Sequence, residues 1–364
     1  MSVAVCDEPA GRYRYLGPIA KPDGSPFAGE EGWGMPFDPA VLPCGDGGCW
    51  LYYGFGAKKP SSRMPAFSME GGYVVRLGAD MRTMAAAPKH LAPAVTQAAD
   101  TGFEGHAFFE ASSIRVLDGR YYFVYSSENG HELCWATMPT PEGPVTYGGV
   151  LVSNGDVGYQ GRAEKDRLNM TGTTHGSIEN INGQWYVFYH RLTHKSDYSR
   201  QACAEPITIL PDGSIPQVEI TSCGLNGKPL EGKGTYPAVI ACNITNVHMA
   251  HGSNKIYTDS FPNVTNCGED RFVGEIQDGT MLGYKYFQFS GAKEIGIQYR
   301  GTCSGKFVVS DDIGCKNIVA EIPVTPAETW SEVRTALQIA DGKHPLYLFF
   351  QGSGEAAVKE LYLA

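Results

Sequence analysis

Apolar and polar positions along this chain alternate in short runs, and no long Ala/Leu/Glu/Lys stretch carries a helical period. Three runs share one pattern: CGDGGCWLYYGF at 44–55, LDGRYYFVYSS at 117–127 and INGQWYVFYHR at 181–191. Each is a turn dipeptide followed by an aromatic strand. Asp46-Gly47, Asp118-Gly119 and Asn182-Gly183 are the pairs that tolerate positive φ in a two-residue hairpin, so each run is predicted to be a hairpin's second arm. The turns recur every ~70 residues, a period that suits a four-stranded propeller blade with variable loops better than a helical solenoid.

The first arms read PFDPAVL at 36–42, FFEASSIR at 108–115 and THGSIEN at 174–180. Asp38 and Glu110 each stand eight positions ahead of their turn's Asp, and His175 stands seven ahead of Asn182. Radial repetition carries equivalent positions to the central channel, so two carboxyls and an imidazole are expected to converge there. Taken singly, an Asp before Pro or a His before Gly is ordinary structure. The shared register is what points to chemistry. Glu110 is flanked by Ala107, Phe108, Phe109 and Ala111, so its carboxyl is expected to be poorly solvated and to hold a proton near neutrality, as a general acid must.

Outer strands are predicted in SVAVCDEP and YRYLGPIA near the start, then GGYVVRLG, HELCWATM and TYGGVLVS. Residues 1–20 read as the outer half of a blade whose inner half is missing from the sequence. With 364 residues, two domains are expected, and 45 Gly, 20 Tyr and 16 Phe favour an all-β protein. A formal charge of -10 without a basic run argues against nucleic acid as a partner. No segment approaches the length of a membrane span, and the first residues lack a cationic, apolar leader, so a cytoplasmic protein is expected. The ten cysteines include no CxxC or Cys/His ligand spacing and are read as reduced thiols. Asn169, Asn243 and Asn263 open N-x-T triplets, read as chance occurrences.

The FDPAVL, FFEASSIR, HGSIENINGQWYVFYHR and QACAEPITILPDGSIPQVEITSCGLNG stretches resemble glycoside hydrolase family 43 over nearly all of residues 1–230. The resemblance implies a five-bladed propeller that removes arabinofuranosyl or xylosyl units from plant polysaccharides and oligosaccharides with inversion. It implies Glu110 as general acid and Asp38 as the carboxylate that tunes and orients. It further implies His175 as a channel histidine beside a calcium or water, and Arg200 as a substrate contact. Phe37 and Phe109, next to the two carboxyls, are expected to meet the sugar. No cofactor is required, with Ca²⁺ in the channel, near His175, as an option. The family's general base, an aspartate of blade one, has no counterpart here, so two readings stay open: a fragment of an active enzyme, or a glycan-binding relative without activity.

Residues 221–237, TSCGLNGKPLEGKGTYP, read as a linker. Beyond it, short alternating strands predict a β-sandwich resembling a family 6 carbohydrate-binding module, in which Tyr284, Tyr286 and Trp330 are candidate stacking aromatics. The expected division is a partial propeller at 1–228 and a sandwich at 229–364.

Overall fold

The computed structural model describes residues 1–194, 198–246 and 261–364. Among these residues the chain is all-β, with helical structure confined to 3₁₀ turns of three or four residues. It forms two compact units. The first comprises Met1–Val152, Thr174–Tyr189 and Ile207–Gln217, and the second Ser153–Thr173, His190–Pro206 and Val218–Ala364.

In the first unit β1 (Ser2–Val5) and β2 (Arg14–Pro18) form a two-stranded sheet. A four-stranded meander follows in chain order: β3 (Ala40–Pro43), β4 (Cys49–Phe55), β5 (Gly71–Leu77) and β6 (Lys89–Ala92). A second meander has β7 (Phe108–Leu117), β8 (Arg120–Ser127), β9 (Glu132–Met138) and β10 (Thr146–Ser153). β11 (Ser177–Ile181) and β12 (Gln184–Leu192) open a third sheet. Antiparallel four-stranded meanders of this kind are propeller blades, and all the predicted outer segments are strands.

Two of the three turns have the expected form. Asp118 and Gly119 sit at φ 50 and 76, Asn182 and Gly183 at φ 52 and 90, each pair joining directly opposed residues. The first turn is longer: Cys44 N–H bonds to Gly48 O at 2.8 Å, and only Gly47 takes a positive φ. Between the paired Pro43 and Cys49 its extra residues are Cys44, Gly45 and Gly48, which the dipeptide rule does not weigh.

Strict alternation fails in the blade centres. Every residue from Tyr122 to Ser127 in β8 is buried, as are Leu51 to Gly54 in β4. A middle strand has a neighbouring layer on both faces, so both must be apolar or satisfied. Tyr52, Phe108, Phe123 and Tyr125 form the centre of this core, with Phe108 and Phe123 stacked at 6.0 Å. Each fully buried aromatic contributes roughly 2–3 kcal/mol of transfer free energy. Register between blades also holds: Ser113 Oγ lies 2.8 Å from Ser177 Oγ, and Arg115 Nε 3.0 Å from Glu179, both pairs 64 residues apart in sequence.

β13 (Arg200–Ile207) comes next in the chain. In the second unit, two six-stranded sheets form a sandwich. One orders β14 (Leu230–Glu231), β19 (Met281–Phe289), β24 (Gly342–Ser353), β21 (Ser304–Ser310) and β22 (Ile318–Val324), with β16 (Asn243–Thr245) also on β19. The other orders β17 (Asn263–Cys267), β18 (Asp270–Ile276), β25 (Ala356–Leu363), β20 (Glu294–Gly301) and β23 (Ala327–Ala336), with β15 (Gly234–Pro237) also on β25. Phe287, Phe307 and Phe350 from the first sheet and Ile297, Val358 and Leu361 from the second fill the space between them. The stretch read as a linker is therefore partly woven into the sandwich: β14 and β15 lie inside it and pair with β19 and β25 through backbone groups, which Gly and Pro composition does not reveal. Tyr284 is a core residue, fully buried with its hydroxyl bonded to Ala238 O at 3.1 Å, and is not an exposed stacking platform. No helix among the described residues is long and apolar enough to cross a membrane.

Candidate functional site

Glu110 lies near the start of β7, where the strand departs from regular pairing. Its register against β8 shifts between Phe108 and Glu110 and again between Glu110 and Ser113. Such bulges re-aim side chains and are frequent beside active sites. Ala111 completes the distortion with φ 67, a left-handed value that costs a residue bearing a Cβ about 1 kcal/mol. The consequence is visible in burial. Phe108 and Ala111 are buried, whereas Phe109 and Glu110 between them are both half-exposed.

Asp38 stands just before β3, also at a left-handed φ of 44. Its Oδ2 accepts a hydrogen bond from Ala111 N–H at 3.2 Å and lies 3.6 Å from His175 Nδ1. One carboxylate thus ties the backbone next to Glu110 to the histidine of the third first arm. Strained backbone concentrated on groups that touch one another is characteristic of functional sites.

Gly176 explains how His175 comes so close. A Cβ there would overlap the carbonyl oxygen of Phe188, so only glycine lets this arm lie against β12. Gly54 and Gly56 do the same for β4. Gly54 N–H bonds to Phe37 O at 3.1 Å and Gly56 N–H to Phe109 O at 2.7 Å, pinning the residues beside both carboxyls. Phe55 between them is a functional candidate that the sequence reading missed. Its ring packs on Phe37 at 5.1 Å and on Phe109 at 4.9 Å, giving a half-exposed aromatic wall next to Asp38 and Glu110. The available signal was its place at the end of the aromatic strand, between two glycines.

Of the sequence-derived residues, Asp38, His175 and the Glu110 backbone neighbour Ala111 are brought together, with Phe37 and Phe109 joined through Phe55. Arg200 belongs to the second unit, where its Nη1 lies 3.4 Å from His190 Nε2. A calcium ion takes six to eight oxygen ligands, and the pair Asp38 and His175 falls well short of that set. Among the described residues the metal-ligand grouping is elsewhere, at His106, Glu132 and Cys134. There Glu132 Oε1 already accepts hydrogen bonds from His106 Nδ1 at 2.7 Å, Ser127 Oγ at 2.6 Å and Asn129 Nδ2 at 2.9 Å. Burial alone would raise the Glu132 pKa, but these donors hold it at about 2, while the bond to Glu132 raises that of His106. This is a structural network rather than a metal site.

In the sandwich, Trp330 is half-buried beneath the Arg300 guanidinium, 4.4 Å from the ring centre, and donates to Asp270 at 2.9 Å. Tyr286, also half-buried, donates to Glu219 Oε2 at 2.7 Å and carries Lys343 Nζ over its ring at 4.1 Å. Both candidate stacking faces are thus already engaged by cations.

Comparison with known proteins finds that the model of glycosyl hydrolases family 43 matches residues 1–215. A xylosidase/arabinosidase of Thermoclostridium stercorarium is 41% identical over 377 residues, covering 100% of this chain and 77% of the relative. An arabinoxylan arabinofuranohydrolase of Paenibacillus polymyxa is 26% identical over 375 residues, covering 95% of this chain, which spans 54% of that relative's length. Among solved structures, a family 6 carbohydrate-binding module from Clostridium cellulolyticum in complex with xylose aligns with 37% of this chain and 98% of its own, at 18% identity and a TM-score of 0.31.

Proposed function

This chain belongs to glycosyl hydrolase family 43, and from that premise we propose that it is a glycosidase acting on arabinofuranosyl or xylosyl units of plant polysaccharides and oligosaccharides, with Glu110 as its general acid. The observation that carries this reading is the Asp38 carboxylate, bonded to the Ala111 amide beside Glu110 and close to His175. The names of the two relatives support the sugar class.

Glu110 is the proton donor. As the glycosidic bond breaks, its carboxyl protonates the departing oxygen, which leaves as an alcohol, and Glu110 remains as carboxylate. Asp38 orients this strand start and, as a neighbouring anion, disfavours early ionisation of Glu110. Its hydrogen bond from the Ala111 N–H supports the reading of an orienting group rather than of the base that activates water. In an inverting reaction that base must sit on the opposite sugar face, with the carboxyls ~6.5–9.5 Å apart. Phe37, Phe55 and Phe109 offer an apolar wall to the C–H face of the sugar. The proton transfer calls on no cofactor. We assign the propeller part to residues 1–228 and the sandwich to 229–364, and the family match over residues 1–215 falls within the first of these.

The test is hydrolysis of nitrophenyl arabinofuranoside and xyloside, and of an arabinoxylan oligosaccharide, by the chain and its Glu110→Gln variant. Loss of acid assistance is expected to slow the oligosaccharide by ~10²- to 10⁴-fold and the nitrophenyl glycosides far less, because nitrophenolate departs unprotonated. Equal rates for variant and parent on the oligosaccharide would remove Glu110 from the reaction.

A further inference from the structure

The segment that follows Phe55 carries a concentration of positive charge that the reaction described above does not use. Residues 57–69 read AKKPSSRMPAFSM, with two lysines, one arginine and no acid, in a chain whose formal charge is -10. Lys58, Lys59 and Arg63 are all exposed. Ala57 N–H bonds to Ser68 O at 2.9 Å and Met64 N–H to Ser61 O at 3.1 Å, so the segment is a closed loop.

Its place is fixed at the rim of the candidate site. Gly56, immediately before the loop, bonds to Phe109 O, and Phe55 packs on Phe37 and Phe109. Lys58 Nζ lies 3.8 Å from Glu128 Oε2, and Glu128 N–H in turn bonds to Ala107 O at 2.8 Å, three residues ahead of Glu110. The loop is thereby held on two sides to the arm that carries Glu110. Lys58 has that carboxylate neighbour. Lys59 and Arg63 have none among the described residues. At ~3.3–3.6 Å of chain per residue, Lys59 begins within ~15 Å of Phe55, a distance that a neighbouring sugar of a polysaccharide can span.

Lys59 and Arg63 stand four residues apart on this closed loop and are both exposed, so both cations are available to an anionic group brought to the site. We propose that Lys59 and Arg63 recognise a carboxylate on the glycan, so that the preferred substrate is a xylan-type chain bearing uronic acid branches close to the unit removed. The proposal rests on the glycosidase reading and names the substrate class of that same site. Arg63 offers a planar fork for a carboxylate, and Lys59 a mobile point charge. In a chain of formal charge -10, this loop offers a locally cationic surface beside the candidate site.

Two oligosaccharides identical except for one glucuronosyl branch separate the possibilities. Their kcat/KM values are compared for the chain and for the Lys59→Ala/Arg63→Ala double variant, with calorimetric binding of both as a second readout. The ratio of charged over neutral substrate is expected to exceed one in the parent, to fall roughly twofold to tenfold in the double variant, and to fall likewise in the parent at high salt. An unchanged ratio in the variant overturns the proposal while leaving the glycosidase reading standing. Tighter, salt-sensitive binding of the branched sugar than of the neutral one, without hydrolysis of either, supports the loop's role and sinks the glycosidase reading instead. Binding of neither overturns the loop's role.

Discussion

Asp38 Oδ2 accepts the backbone N–H of Ala111 at 3.2 Å, and both residues occupy left-handed backbone conformations, with φ 44 and 67. Two unfavourable local choices are thus joined by one hydrogen bond, and the strain of each is held by the other. Replacing Ala111 by glycine removes the Cβ that makes φ 67 costly but also loosens the unfolded chain. The expected result is a stability change of no more than about 1 kcal/mol in either direction. Replacing Asp38 is different. Asp38→Asn keeps an acceptor and suits a left-handed φ, so urea unfolding should move by less than about 0.5 kcal/mol. Asp38→Ala leaves the Ala111 N–H without its acceptor and should cost about 1–2 kcal/mol. If the two variants unfold at the same urea concentration, this bond does not hold the strand start.

How far this arrangement was legible in the sequence follows from the same residues. The offsets of Asp38, Glu110 and His175 from their turns, eight, eight and seven, brought three first arms to about one level, but offsets of different parity do not by themselves put three side chains on one face. The Ser113–Ser177 and Arg115–Glu179 pairs show that the level is kept between neighbouring blades. What register cannot express is a bulge. The double slip around Glu110 turns Phe109 and Glu110 out together, against strict alternation, and depends on tertiary contacts of Asp38 that no local pattern records. Phe55 was hidden for a related reason, since an aromatic at a strand end reads as core until its neighbours are known. β14 and β15 escaped because a parallel and an antiparallel partner more than fifty residues away make Gly- and Pro-rich segments into strands.

The His106–Glu132 pair predicts a pH window for stability. Glu132 is held at about 2 in the folded chain against an ordinary 4.5, so its contribution is present above ~4.5 and lost as pH falls toward 2. The His106 pKa is raised from an ordinary 6.5, so its contribution is complete below that value and lost as pH climbs through the raised one. The pair's support is therefore greatest between about 4.5 and 6.5. Glu132→Gln should flatten the dependence of Tm on pH across both flanks. Because the His106 side chain is 35% exposed, the loss in the window is expected at about 2–3 kcal/mol, below that of a fully buried pair. A variant whose Tm profile parallels the parent's would refute the assignment.

Gly176 predicts a contrast between two glycine substitutions. A methyl group at Gly176 would occupy the space of Phe188 O and press on Leu133 Cδ1 at 2.7 Å, with backbone on one side and core on the other. Gly176→Ala should cost more than about 3 kcal/mol and displace His175. Gly183 has nothing within 4 Å of a built Cβ, but its φ of 90 is left-handed, so Gly183→Ala should cost only about 1 kcal/mol. Comparable urea midpoints for the two would contradict the close approach of the third arm to β12.

Within the second unit, Lys285 is buried against two carboxylates, Asp156 Oδ2 at 3.1 Å and Glu219 Oε1 at 2.8 Å. Asp156 is buried to the same degree, whereas Glu219 keeps 22% of its side chain exposed. Burial opposes the lysine charge, yet the carboxylates of Asp156 and Glu219 raise its pKa above the ordinary value, so it remains an ammonium. Lys285→Met removes the charge that compensates Asp156 and is expected to cost about 3–5 kcal/mol. Adding Asp156→Asn removes the orphaned anion while keeping an acceptor for the Ile220 N–H, which bonds to Asp156 Oδ1 at 2.8 Å. The double variant should therefore be more stable than the sum of the single losses by at least about 1 kcal/mol, a coupling measured directly by a double-mutant cycle in urea. Glu219→Gln, at the wetter corner, should cost less than Asp156→Asn alone. Strict additivity of Lys285→Met and Asp156→Asn would mean that the ion cluster does not act as a unit in holding this part of the chain.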